Sequence, residues 1–149
     1  MRLVIQRVTQ AAVSINGGEH AAIGPGMLIL VGITTHDTPQ LAKAMAAKIA
    51  KLRIFSDENG KMNRAINAVN GSILVISQFT LYGDVSKSNR PSFTTAAHPS
   101  IAEPLYNLLV AELVQHGLAV ATGIFAADMQ VSLINDGPVT LILEKYSSR

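Results

Sequence analysis

The sequence predicts a single α+β domain spanning residues 1–149, with a mostly antiparallel or mixed, barrel-like β-sheet and two main helices. Three observations predict it. Short apolar or alternating runs bounded by Gly, Asn and Pro recur along the chain, as expected of strands joined by turns. Two stretches, about Pro39 to Arg53 and between Ser100 and Gln115, instead place apolar residues at helical spacing. A length of 149 residues, 48% of them apolar and 15% charged, suits one core-forming domain with no repeat or linker.

In chain order, Leu3 to Val8 and Ala11 to Ile15 read as strands, and Asn16-Gly17-Gly18 supplies the positive-φ residues of a tight hairpin turn. After Gly24-Pro25-Gly26, the run Met27 to Ile33 is apolar throughout, which predicts a central strand buried on both faces. Thr38 before Pro39 pairs an N-cap with a first-turn proline, and Leu41, Met45, Ile49 and Leu52 follow on one helical face. Ile54-Phe55 is a short strand, and Ser72 to Leu81 is the most strand-like run of the chain. Tyr82 to Pro99 is a long loop rich in Gly, Ser, Asn and Pro, a length that points to mobility or function. The second helix buries Leu105, Leu108, Leu109 and Leu113, with Ser100 and Glu103 resembling a capping box and Gly117 as its stop. Leu118 to Phe125, Met129 to Asn135 and Val139 to Lys145 supply the remaining strands, most connections being hairpins.

Composition excludes several classes of function. No apolar run approaches the ~18 residues that cross a bilayer, and no signal-peptide pattern follows Met1-Arg2-Leu3, so neither membrane insertion nor export is expected. With no cysteine there is no disulfide, thiolate nucleophile or Cys-ligated zinc, in keeping with a cytoplasmic protein. His20, His36, His98 and His116 are scattered, so no metal site and no cofactor is expected. Walker, dinucleotide and Gly-x-Ser-x-Gly templates are absent. Net charge is only +2, but it is uneven. Lys43, Lys48, Lys51, Arg53, Lys61 and Arg64 face only Asp57 and Glu58 in their segment, whereas Pro91 to Glu144 holds five acids and no Lys or Arg. The basic segment is either a solvated helix face or a surface for phosphates.

Two segments carry residues that a plain strand does not need. Ser77-Gln78-Phe79-Thr80-Leu81 ends an apolar strand with two hydroxyls, a carboxamide and main-chain N–H groups that can converge on a ligand. Outward polar residues at a strand end would give the same composition. Asn135-Asp136-Gly137-Pro138-Val139-Thr140 contains an Asp-Gly hairpin signal followed directly by proline, which reads as a turn and makes a cis peptide conceivable.

Together these segments resemble the SQFTL and NxGPxT signatures of the D-aminoacyl-tRNA deacylases, both complete here at Ser77–Leu81 and Asn135–Thr140. The resemblance continues through Ile5-Gln6-Arg7-Val8, Arg53 to Asp57, Gly60 to Asn63, Arg90 to Phe93 and Phe125 to Ser132. It departs at Pro104, at Tyr82-Gly83-Asp84-Val85 and in the tail Ser147-Ser148-Arg149. The resemblance implies a homodimeric hydrolase that acts on aminoacylated tRNA and rejects L-aminoacyl groups. In it a cis Gly137-Pro138 from one subunit enters the other's pocket beside Ser77, Gln78, Phe79 and Thr80. It also implies that Arg7 fixes the Gly-Pro carbonyls and that glycyl-tRNA is a side substrate.

With no protein base in view, the preferred chemistry is substrate-assisted: the ribose 2′-hydroxyl activates water, and the Phe79 and Thr80 N–H groups receive the developing charge. Thr80, with Ser77 second, is the nucleophile if a side chain attacks. Two other readings are a related deacylase whose Gly-Pro peptide is trans, acting on misattached L-residues, and a non-catalytic RNA- or DNA-binding module using the Lys43–Arg64 surface. The intact Ser77–Leu81 segment argues against the first, and an aromatic content of 5% against the second.

Overall fold

The computed structural model describes residues 1–148, so Arg149 of the polar tail lies outside it. Eight strands and two helices follow in the order β1 (Arg2–Ile15), β2 (Gly18–Ile23), β3 (Gly26–Gly32), α1 (Pro39–Lys51), β4 (Phe55–Ser56), β5 (Met62–Arg64), β6 (Ser72–Ser77), α2 (Pro99–Gln115), β7 (Ala119–Thr122) and β8 (Gln130–Glu144). The main sheet runs β2-β1-β3-β6-β7, with β8 on β1, and curls into a nearly closed, barrel-like form. β4 and β5 form a separate ribbon.

Hairpins make fewer of the connections than the sequence suggests. β3, β6 and β7 are parallel, and parallel neighbours need crossovers, which α1 and α2 provide. This explains the uninterrupted apolar run of β3. Met27, Ile29 and Val31 face the core shared with both helices, while Leu28 faces a second core with Val8, Ala11, Val13, Leu74 and Ile76. A strand buried on both faces has no polar face to show.

α1 begins where Thr38 Oγ1 accepts the Leu41 N–H at 3.2 Å with Pro39 behind it, and it buries Leu41, Ala42, Met45, Ala46 and Ile49. Fully burying side chains such as Met45 and Ile49 stabilises by about 1.5–3 kcal/mol each. α2 starts earlier than Ser100: Pro99 takes the first turn and His98 Nδ1, not a Ser100–Glu103 box, accepts the Ser100 N–H at 3.2 Å. Pro104 is accommodated inside the helix. Leu105, Leu109 and Leu113 are buried with Ala102 and Tyr106, Leu108 packs at their margin, and Gly117 ends the helix at φ +80°.

The first hairpin turns through Asn16 and Gly17, both at positive φ. Two expected pairs of strands are instead single strands. β1 continues through Thr9-Gln10, its pairing with β8 absorbing register shifts between Gln6 and Val8 and between Val8 and Gln10. β8 continues through Asp136-Gly137-Pro138 because β1 pairs with it on both sides of that tripeptide. Among the described residues no helix is long and apolar enough to cross a membrane.

Candidate active site

β6 ends at Ser77, opposite Val31. Gln78 adds one more bond, its N–H donating to the Val31 carbonyl at 2.8 Å, and Phe79–Tyr82 then curl into a 3-10 turn. The strand expected to reach Leu81 stops here because β3 ends at Gly32, and the turn folds over that glycine. A Cβ on Gly32 would stand 2.9 Å from Leu81 Cβ. The first N–H groups of such a turn have no carbonyl three residues back to reach. Among the described residues, neither the Phe79 nor the Thr80 N–H donates to a protein group. The Thr80 hydroxyl accepts from the Gln78 carboxamide, and no base adjoins it among its hydrogen-bond partners.

The far end of the segment is clamped. Arg2 Nη1 donates to the Leu81 carbonyl at 2.7 Å, Nε and Nη2 grip Glu144 Oε1 at 3.0 and 2.7 Å, and the guanidinium lies over the Tyr82 ring. A planar fork can meet two acceptors at its edge and lay its face on a ring, which a lysine ammonium could not. Tyr146 and then Arg2, each bonded to the Glu144 carboxylate, hold it below the usual carboxylate range. This support was not visible in sequence, where Arg2, Leu81 and Glu144 are far apart.

Ser77, Gln78 and Phe79 line a cavity of about 480 Å³ with Phe93, Phe125, Met129 and Val131, a volume usual for small-ligand sites. Phe79 meets Phe93 edge-on at 5.1 Å between ring centroids. Ala126 turns the wall at φ +63°. None of the residues lining the cavity carries a titratable side chain, and among the described residues no three His, Cys, Asp or Glu side chains gather as a metal site would require. Phe93, Phe125 and Met129 stand in segments that carry the resemblance, yet their convergence could not be read from spacing.

Gly137-Pro138 is built differently. β8 pairs through Asn135 opposite Val8 and resumes at Thr140 opposite Gln6, so residues 136–139 form a bulge opposite Arg7, with residues 136–138 exposed and Val139 buried. Asn135 staples the base of the bulge: its Oδ1 accepts the Val139 N–H at 2.7 Å and its Nδ2 donates to Thr140 Oγ1 at 3.0 Å. The turn signal is thus expressed as an excursion within one strand. The Gly137–Pro138 peptide is cis. Gly137 sits at φ +139°, and a Cβ there would stand 2.7 Å from Val139 Cγ2. Arg7 is buried, donating from Nε to the Asp136 carbonyl at 2.9 Å and from Nη1 to the Ile54 carbonyl at 2.8 Å. It grips the carbonyl before Gly137 rather than those of Gly137 or Pro138.

One chain does not bring the two segments together. Arg7 is opposite Met27 and Ser77 opposite Val31, four residues or about 13 Å apart along β3, and three strand spacings, about 14 Å, separate β8 from β6. Neither Gly137 nor Pro138 lines the cavity.

A barrel-like sheet with helices packed on one face, and a polar strand end with unused donors at an apolar cavity, defines an α+β domain with a candidate site for a small ligand group. The profile of the family described as D-Tyr-tRNA(Tyr) deacylase matches residues 4–144. The chain is 53% identical over 146 residues to a Chlorobaculum tepidum protein named D-aminoacyl-tRNA deacylase, covering 97% of each. It is 56% identical over 144 residues to one of the same name from Heliobacterium modesticaldum, covering 97% of this chain and 96% of that one. A solved structure named "c-Myc DNA Unwinding Element Binding Protein" superposes with a TM-score of 0.91 at 40% identity, covering 99% of this chain and 100% of its own. The chain belongs to the D-Tyr-tRNA(Tyr) deacylase family.

Proposed function

We propose that the protein hydrolyses the ester joining a D-amino acid to the terminal ribose of tRNA, in a homodimer whose pocket is completed by the Gly137-Pro138 bulge of the second copy. The observation that carries this reading is a cavity lined by Ser77, Gln78 and Phe79 with no titratable side chain in its wall, beside the unspent main-chain N–H groups of Phe79 and the following Thr80. Such a site can bind an oxyanion but cannot supply a base, so the base function falls to the substrate. The ribose 2′-hydroxyl positions a water and relays its proton. The water oxygen bonds the ester carbon, the Phe79 and Thr80 N–H groups receive the oxyanion, and the 3′-oxygen leaves carrying the proton. Ser77 and Gln78 shape the pocket, and the rings of Phe79, Phe93 and Phe125 give the terminal base apolar faces to rest on. The relatives named as D-aminoacyl-tRNA deacylases support the same substrate.

Dimerisation is supported by β8. Among the described residues it pairs with β1 alone, leaving one edge open, and exposes Val131, Ile134, Leu141 and Ile142. An open edge beside exposed large apolar side chains favours a second copy. Main-chain carbonyls of the inserted bulge then accept the amino group of a D-residue, while an L-side chain meets backbone. Glycine, with no side chain to exclude, passes the filter, so glycyl-tRNA is a second substrate. The enzyme works in the cytoplasm, where charged tRNA is used.

A second reading, a nucleic-acid-binding module without catalysis, is favoured by the DNA-binding name that the 40%-identical structure carries. Hydrolysis of D-Tyr-, L-Tyr- and Gly-tRNA separates the two: D-Tyr-tRNA and Gly-tRNA should be cleaved and L-Tyr-tRNA spared. Binding of all three without ester cleavage would overturn the deacylase reading.

A further inference from the structure

The cavity wall offers no cationic side chain, yet the substrate proposed above is a polyanion, so its affinity must come from elsewhere on the surface. Lys43, Lys48, Lys51, Arg53, Lys61 and Arg64 are all exposed. Among the described residues only Arg64 has an acidic partner, Glu58 at 2.7 Å. The other acid of the segment, Asp57, is spent on the N–H groups of Asn59 and Lys61 at 2.9 and 3.0 Å. Five cations therefore remain unneutralised by any ion pair among the described residues. At about 100° per residue, Lys43, Lys48 and Lys51 occupy an arc of about 140° on α1, Lys43 and Lys51 turned away from the buried Met45 and Ile49 and Lys48 at the boundary beside Leu41. Arg53 continues the face toward β5, its Nη1 donating to Asn63 Oδ1 at 3.2 Å.

The position of this face matters as much as its charge. The residue after Arg53 is Ile54, whose carbonyl takes one arm of the Arg7 guanidinium while another takes the Asp136 carbonyl. One buried side chain therefore joins the end of the basic face to the Gly137-Pro138 bulge. Whatever pocket that bulge enters, the basic face arrives beside it.

We propose that the α1–β5 face carrying Lys43, Lys48, Lys51, Arg53 and Lys61 is the phosphate-binding surface that seats the acceptor stem of tRNA. It flanks the pocket that Gly137-Pro138 completes. The assignment rests on the tRNA reading of the site but is tested by binding, which needs no turnover. A fluorescent acceptor-stem RNA minihelix is titrated by anisotropy across a salt series with wild type, with Lys43→Glu/Lys48→Glu/Lys51→Glu, and with Lys87→Glu/Arg90→Glu on the loop beside Phe93. Cleavage of D-tyrosyl-adenosine, too short to reach α1, is followed in parallel, with thermal unfolding as a check on the fold.

The triple variant should bind at least about tenfold more weakly and lose about 2–3 from the slope of log K against log salt, while cleaving D-tyrosyl-adenosine as wild type does. Unchanged binding in the triple variant, or loss carried by Lys87→Glu/Arg90→Glu instead, would overturn the proposal. Equal displacement of the minihelix by a DNA duplex of the same sequence would also overturn it, since the face would then bind any polyanion. If wild type cleaves neither D-substrate while minihelix binding still depends on the three lysines, the surface stands and the deacylase reading falls.

Discussion

The Ser77–Leu81 segment and the Asn135–Thr140 segment are both short polar interruptions of apolar strands, and the fold treats them in opposite ways. The first turns inward at the end of a buried strand, against a cavity, with its far end held by Arg2. The second bulges outward from an edge strand, held at its base by Asn135 and Arg7, with no cavity of its own. A concave element with unused donors and a convex element without a receptor are complementary, and about 13 Å along the sheet plus three strands across keep them apart within one chain. The difference teaches that each segment is preorganised separately, and in the homodimer proposed above a second copy would bring them together.

The sharpest way to break this comparison is to damage each half in a different chain. Gly137→Ala forces a Cβ to within 2.7 Å of Val139 Cγ2 at φ +139°, deforming the bulge. Thr80→Pro removes one of the two free N–H groups, a loss worth about 10²–10³ in rate for an oxyanion donor. Each variant alone should fall at least about a hundredfold. Co-refolded at equal ratio, random pairing makes half the dimers mixed, each with one intact site, so about a quarter of wild-type activity should return. No recovery at any ratio would show that both elements serve the same chain.

The next effect in size concerns the inward segment alone. If Thr80 were a nucleophile, Thr80→Ala should cost several orders of magnitude. With its hydroxyl occupied by Gln78 and no base beside it, the loss should stay below about tenfold. A tRNA ending in 2′-deoxyadenosine, charged on its 3′-oxygen, should bind normally and react at least about a hundredfold more slowly in single turnovers. A dead Thr80→Ala enzyme with a fully reactive deoxy substrate would return Thr80 to the chemistry.

Arg7 sharpens the outward half. Arg7→Ala leaves the Asp136 and Ile54 carbonyls without their donor, at a cost of about 1–3 kcal/mol, or roughly 2–12 °C in Tm for a chain of this size. Arg7→Lys should recover little, since one ammonium cannot span both carbonyls. In mixing, Arg7→Ala should be rescued by Thr80→Pro and not by Gly137→Ala. Rescue by Gly137→Ala would place Arg7 with the cavity instead.

The two halves were unequally legible in the sequence. The polar composition of Ser77–Leu81 and the Thr38-Pro39 start of α1 are local signals, and the chain expresses them locally. Asp136-Gly137 is an equally local turn signal, but β1 lies across β8 on both sides of it, so long-range pairing turns a hairpin into a bulge. The same pairing carries β1 through the polar Thr9-Gln10 pair. Where β6 stops depends on where β3 stops, and the cavity wall depends on Phe93, Phe125 and Met129 arriving from separate loops. Periodicity reports faces and caps, not which distant strand or loop arrives opposite. The resemblance points to both segments; the Arg2 clamp comes only from tertiary contacts, whereas the Asn135 staple is local and closes on Val139 and Thr140 of its own segment.

The smallest predicted effect tests the Arg2 clamp behind the inward segment. Glu144 accepts from Tyr146 and from Arg2, and these bonds, the first the larger influence, lower its folded pKa below the ordinary value. Between the lowered folded pKa and the unfolded value near 4.3, the unfolded chain binds more protons, so stability rises with pH there and is level above it. Glu144's contribution is therefore fully present at neutral pH and is lost as pH falls through the carboxylate range toward the folded value. Because Arg2 and Glu144 are about one third exposed, solvent screening holds the contribution to about 0.5 kcal/mol, or roughly 1–2 °C in Tm. Glu144→Gln should melt lower than wild type by that amount at pH 7, and the two curves should meet at the acid end. A gap that stays constant down to about pH 3, below the ordinary carboxylate value, would mean that Glu144 acts by packing, and Arg2 would then hold the Leu81 carbonyl without help from its carboxylate partner.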